Sequence, residues 1–201
     1  MSPRATRVAG VGAALLLGAS CVPSPTPTLG GVADLPPPGS GTLRQEEVTI
    51  TLESGQLEIK VTPLDESVTR TTAPDTYRRL SGLVSLHLPE AVRRTGTPDP
   101  SLFLVSFFSA SHEVSFVPEE VQVVSRGVRL RPAAILPITP GWGQRRLEQR
   151  ETESAVYVFS GAVDLESDLV VAYGLVESHA WSTILPRVQA ERARARTRGS
   201  P

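Results

Sequence analysis

Cysteine is almost missing from this 201-residue chain: Cys21 stands alone, so no disulfide can form within it. Whatever folds here must be held by its core, and the length suffices for one ordinary domain with accessory segments. Lysine is nearly absent too, Lys60 being the only one, and aromatic residues make up just 5%. No apolar run approaches the roughly 20 residues that a spanning helix requires. The three histidines, His87, His112 and His179, lie far apart with none of the short spacings that mark a metal site. There is no serine elbow and no glycine-rich phosphate loop, because Gly10, Gly12 and Gly18 fall in the N-terminal segment. These absences leave no catalytic motif, call for no cofactor and no metal, and give no reason to expect nucleic acid as a partner.

What the chain has instead is 18 prolines, 16 glycines and 40% apolar residues, a balance that favours strands joined by turns over a helical bundle. The overall charge is −1 but it is segregated. Residues 187–201 carry five arginines against Glu191 alone, and the acidic excess lies upstream. Arginines two apart, as at 192, 194, 196 and 198, scatter around a helix, so residues 187–201 read as a mobile basic tail. Anionic headgroups or envelope polymers would attract such a tail.

The first 21 residues read as an address. Arg4 and Arg7 precede an apolar stretch from Val8 to Leu17, which suits the core of a cleaved export signal. The following Leu17-Gly18-Ala19-Ser20-Cys21 resembles a lipobox, the cleavage motif of bacterial lipoproteins, with Gly18 standing where leucine is usual. The resemblance implies that residues 1–20 are removed, that Cys21 receives a diacylglyceryl group on sulfur, and that its new amine is acylated. Two or three acyl chains hold a protein firmly at a membrane, where one holds marginally. Val22 is not the aspartate that the family associates with inner-membrane retention, so the resemblance implies a lipid anchor in the outer membrane of the cell envelope.

Residues 21–43 form a tether rich in Pro, Gly, Ser and Thr, expected to extend and stand the domain off the bilayer. From residue 44 to 186 the period becomes two. Val48, Ile50 and Leu52 alternate with polar residues, Ser54-Gly55 turns the chain, and Leu57, Ile59 and Val61 return. Further strands are expected at 82–88, 102–109, 114–117, 121–125, 128–132, 155–160 and 169–173, with a hairpin turn at Arg126-Gly127. No helical stripe longer than two turns stands out, the best lying near 89–94. Seven to nine short strands predict an all-β fold, a β-sandwich. Their order, with Phe116-Val117-Pro118 ahead of Val121 and a late Val156-Tyr157-Val158-Phe159 strand, resembles the immunoglobulin-like domains of bacterial lipoproteins, the telokin-like domains being nearest. That resemblance brings a fold and no activity.

One strand is apolar on both faces: Leu102, Leu104 and Phe108 point one way, Phe103, Val105 and Phe107 the other. Either a second layer covers it, such as the 139–149 loop with Trp142, or Phe103, Phe107 and Trp142 form an exposed patch that docks a partner. Asp164, Glu166 and Asp168 alternate as calcium ligands do, but a polar turn explains them equally well. The resulting expectation is a non-enzymatic lipoprotein displaying its sandwich to an envelope protein. A module for a lipid or small apolar ligand is the alternative, and a hydrolase built on paired carboxylates a third reading.

Overall fold

The alternation that starts at Val48 folds as an antiparallel hairpin of β1 (Ile50–Ser54) and β2 (Leu57–Pro63), turned at Gly55 with a φ of 62°. A computed structural model describes residues 35–161 and 163–199, which fall in one compact unit. After β2 come the short helix α1 (Glu66–Thr69), the long helix α2 (Pro74–Thr95) and strand β3 (Ser101–Ser109). Then follow β4 (Val114–Ser115), β5 (Val121–Ser125), β6 (Val128–Leu130), β7 (Ala134–Pro137) and β8 (Arg146–Leu147). The chain ends with β9 (Glu151–Phe159), β10 (Leu169–Tyr173), β11 (Val176–Ser178) and helix α3 (Trp181–Gly199). The domain is mostly β, with antiparallel sheets and few helices, as the alternation predicts.

One sheet has the order β1-β2-β3-β9-β7, a second β11-β10-β5-β6, and β4 and β8 form a small ribbon. The two larger sheets share one core, in which Ile59, Phe103, Val105 and Tyr157 of the first meet Val123, Leu169 and Val171 of the second. The Tyr157 hydroxyl donates to the Pro118 carbonyl at 2.9 Å, and the Tyr173 hydroxyl accepts from the Val117 N–H at 2.9 Å. Both phenols thus satisfy their polar ends while burying their rings. Arg126 and Gly127, with φ of 50° and 75°, make the tight turn expected between β5 and β6.

The apolar second face of β3 is covered from outside. Leu102 and Leu104, with Val156 and Val158 of β9, pack beneath Leu80, Leu83, Val84, Leu88 and Ala91 of α2. Residues 82–88, expected as a strand, therefore lie inside a helix. Two patterns compete there: Val84, Leu86 and Leu88 alternate, but Leu80, Val84, Leu88 and Ala91 share one helical face. The outer face of the sheet rewards the second pattern, and Leu86, which belongs to the first alone, is 71% exposed. Pro74 in the first turn and Gly96 at the C-cap, with φ of 67° and its N–H on the Val92 carbonyl, mark the helix ends. Gly82 is exposed on α2 with nothing within 4 Å of a Cβ. Gly82→Ala should stabilise the domain by about 1 kcal/mol, read as a raised melting temperature, and a lowered one would count against the helix.

Residues 187–199, expected within a mobile tail, are helical instead. Residues 187–199 continue α3, whose Trp181, Ile184, Val188, Glu191 and Ala195 are buried at alternating spacings of three and four. The helix sorts the arginines that alternation scatters. Arg192 turns inward to Glu166 at 2.8 Å and the Ser67 carbonyl at 3.0 Å, while Arg187 and Arg194 face solvent. Across from it, the last part of the expected tether is part of the fold. Leu43 pairs with Thr72, its N–H reaching the Thr71 carbonyl at 3.1 Å and its carbonyl accepting from Ala73 at 2.8 Å. Thr42 donates through its N–H (3.0 Å) and its hydroxyl (2.8 Å) to the Glu191 carboxylate.

Gly41 makes this seam possible, because a Cβ there would overlap the backbone of Thr71. Gly41→Ala should cost about 2 kcal/mol in urea unfolding, since neither backbone yields cheaply. Gly143→Ala, with nothing within 4 Å, is the neutral control. Equal midpoints for the two variants would refute the close approach. The cysteine at position 21, and the export signal expected around it, lie outside the described residues.

Candidate functional site

Strand register sorts the loops to two ends of the domain. At one end β2 finishes opposite the start of β3, and β9 finishes there too. Residues 35–44, α1 and the inward side of α3 gather at this end, joined by the Thr42–Glu191 and Arg192–Ser67 bonds. The opposite end carries the 110–120 and 138–150 loops and the Gly174-Leu175 turn.

A cleft of about 300 Å³ opens at the first of these ends, between α2 and the beginning of β3. Its apolar walls come from both cores: Leu64, Val84, Leu88 and Leu102 from the outer one, Phe103 and Leu165 from the inner. Three carboxylates, Asp65, Glu66 and Asp99, stand among its polar lining, and no lining residue is basic. The sequence places them for local reasons. Asp65 is the N-cap of α1 and accepts from the Ser67 N–H at 2.7 Å. Glu66 is one turn ahead of Arg70, which pairs with it, and the Tyr77 hydroxyl donates to it at 3.3 Å. Burial, and then the Glu66 charge, push the Tyr77 phenol above its ordinary value. Asp99 sits on the turn before β3 and makes no hydrogen bond or ion pair among the described residues. Two of the three carboxylates therefore already hold the local backbone or a guanidinium, which is poor ground for a paired acid and base.

Of the residues singled out for docking, Phe103 lines the cleft from within the core, and Phe107 and Trp142 do not reach it. The exposed-patch expectation is corrected: Phe103, Phe107 and Trp142 are all buried. Phe107 stacks on Phe116 at 4.6 Å and meets the edges of Trp142 and Tyr173 at 5.8 Å each, and Phe103 packs edge to face with Phe159 at 5.4 Å. Trp142 rides on the short 3-10 turn Pro140–Gln144 and covers the inner face of β3. This is the covering role of the 139–149 loop, with α2 supplying the cover on the other face.

The histidines do not converge on the cleft. His87 is on α2 with its Nε2 buried and without a hydrogen-bond partner among the described residues, and burial lowers its pKa from the ordinary 6.5. His112 is exposed, 3.8 Å from Glu148, and the exposed His179 precedes α3. Asp164 is held by Arg126 at 2.7 Å and accepts from the Glu166 N–H at 2.9 Å, a polar turn closed on itself. Burial pushes the Asp164 carboxyl up, but those bonds outweigh it and leave its pKa lowered. Among the described residues no group of three His, Cys, Asp or Glu could hold a metal ion, and no helix is long and apolar enough to cross a membrane.

Sequence reasoning missed the cleft because Asp65, Asp99 and Leu165 are brought together only by the sheet register. The one local signal was the Asp65-Glu66-Ser67 helix start. No family model matches this chain, and no curated protein or solved structure matches it either.

Proposed function

We propose that this chain is a lipoprotein, anchored through acylated Cys21 in the outer membrane of a bacterial envelope, whose β domain is displayed to a protein partner there and performs no chemistry of its own. The observation that carries the reading is the only cysteine of the chain standing at the end of Leu17-Gly18-Ala19-Ser20-Cys21, directly after an apolar stretch. The polarity of the domain supports it. Chain arriving from residue 21 joins the fold at the end where residues 35–44 meet α1 and α3. The loops of the opposite end are then turned away from the membrane, with Leu175 fully exposed (101%) at the tip of one.

The domain is an immunoglobulin-like sandwich in this reading. Its support is strand order. The run β2-β3-β9-β7 follows the A-B-E-D sheet of such domains, and β11-β10-β5-β6 follows G-F-C with C′ added. In antibody domains a disulfide links strands B and F. Here the Phe107–Tyr173 ring contact spans the corresponding β3 and β10 in a chain that has no cysteine to spare.

The test is the intact mass of the protein extracted from its native membrane, beside a Cys21→Ala version. A chain beginning at Cys21 with added acyl mass, lost in the variant, is the expected result. A chain cut elsewhere and released unmodified would overturn the anchor.

A further inference from the structure

We propose that the cleft between α2 and β3 binds a compact organic cation, an ammonium carried on a small aliphatic or aromatic body. This goes beyond display and does not depend on the lipid anchor. A volume of about 300 Å³ is at the lower limit of small-molecule sites, so the occupant is small. Leu64, Leu88, Leu102 and Leu165 offer it nothing but dispersion contacts and release of water, which calls for an apolar body.

The sign of the head group follows from the lining. Asp65, Glu66 and Asp99 contribute three carboxylates, and the nearby guanidiniums are engaged elsewhere, Arg70 with Glu66 and the Pro36 carbonyl, Arg192 with Glu166 and the Ser67 carbonyl. An anion placed there would meet like charge and a neutral alcohol would gain little, whereas an ammonium meets Asp99, a carboxylate with no partner among the described residues. The α2 helix gives no competing pull, because its basic last turn, Arg93 and Arg94, is tied to Glu90.

The experiment titrates the processed protein, purified from its host, with three probes of one shape: phenethylammonium, 2-phenylethanol and 3-phenylpropanoate. Isothermal titration is run at low salt and again at high salt. Phenethylammonium should bind at least tenfold more tightly than the other two and weaken as salt is raised. Asp99→Asn, an exposed substitution that leaves the melting temperature unchanged, should weaken it at least threefold. Val84→Trp, which fills the cleft from the helix side, should abolish binding. Equal affinity for all three probes, or phenethylammonium binding that survives both substitutions, would overturn the proposal, as would no binding by any probe. The anchor is read by mass, so neither outcome there bears on this result.

Discussion

Phe107→Ala is expected to cost about 4 kcal/mol of folding stability, the largest effect of any substitution considered for this domain. Phe107 has no exposed surface and touches rings from three separate segments: Phe116 before β5, Trp142 on the 3-10 turn, and Tyr173 on β10. Truncation removes the buried ring and leaves a void that Phe116 and Trp142 cannot both fill. Each lost aromatic contact adds about 0.5–1.5 kcal/mol beyond area burial. Urea unfolding at neutral pH is the measurement, with Leu175→Ala as its partner. Leu175 is fully exposed, so its loss should shift the midpoint by less than about 0.5 kcal/mol. A Phe107→Ala protein as stable as the parent would return the ring to the surface and reopen the docking-patch reading.

Glu191→Ala should cost about 3 kcal/mol, because it strands several groups at once. The carboxylate accepts from the N–H and hydroxyl of Thr42 and pairs with Arg198, and it lies 3.6 Å from Arg194. Removing it leaves the Thr42 donors unpaired and loosens the helix from residues 40–44.

Acid should do by titration what this substitution does by deletion. Burial pushes the Glu191 carboxyl up, but the hydrogen bonds from Thr42 and Arg198, with the Arg198 charge, outweigh it and hold its pKa below the ordinary 4.5. The folded protein thus binds this proton more weakly than the unfolded chain does. The stability that the group contributes is complete above pH 4.5 and is lost as the pH falls through the lower folded value. Glu191→Gln should be less stable than the parent at pH 7 and should lose less of its stability between pH 5 and 3. Parallel pH profiles for the two proteins would show that Glu191 does not carry this dependence.

The β1–β2 hairpin was readable because its alternation is strict and a glycine turn separates its halves. The two-sided apolar character of β3 calls for a layer on each side, and the turn that carries Trp142 is one of the two covers. The other cover is hidden in residues 82–88, where period two and period 3.6 both fit. The last helix was hidden differently. Glu191 occupies a position in its buried stripe, Trp181-Ile184-Val188-Glu191-Ala195, and a carboxylate there makes the stripe look broken. Its partners explain why a charge is tolerated: Arg194 and Arg198 lie on the same helix, but Thr42 lies 149 residues away. The cleft had no readable signal beyond the Asp65 helix cap.

By itself the amino-acid sequence determined what depends on near neighbours: alternation for strands, glycine for turns, the absence of disulfides, and the short apolar stretch from Val8 to Leu17 ahead of Cys21. Tertiary structure alone decided which face of 82–88 is buried, whether 187–199 is ordered, and which carboxylates share a cleft. The reason is physical. A side-chain pattern specifies a secondary structure only when one period fits it, and when two fit, the surface waiting to be covered makes the choice.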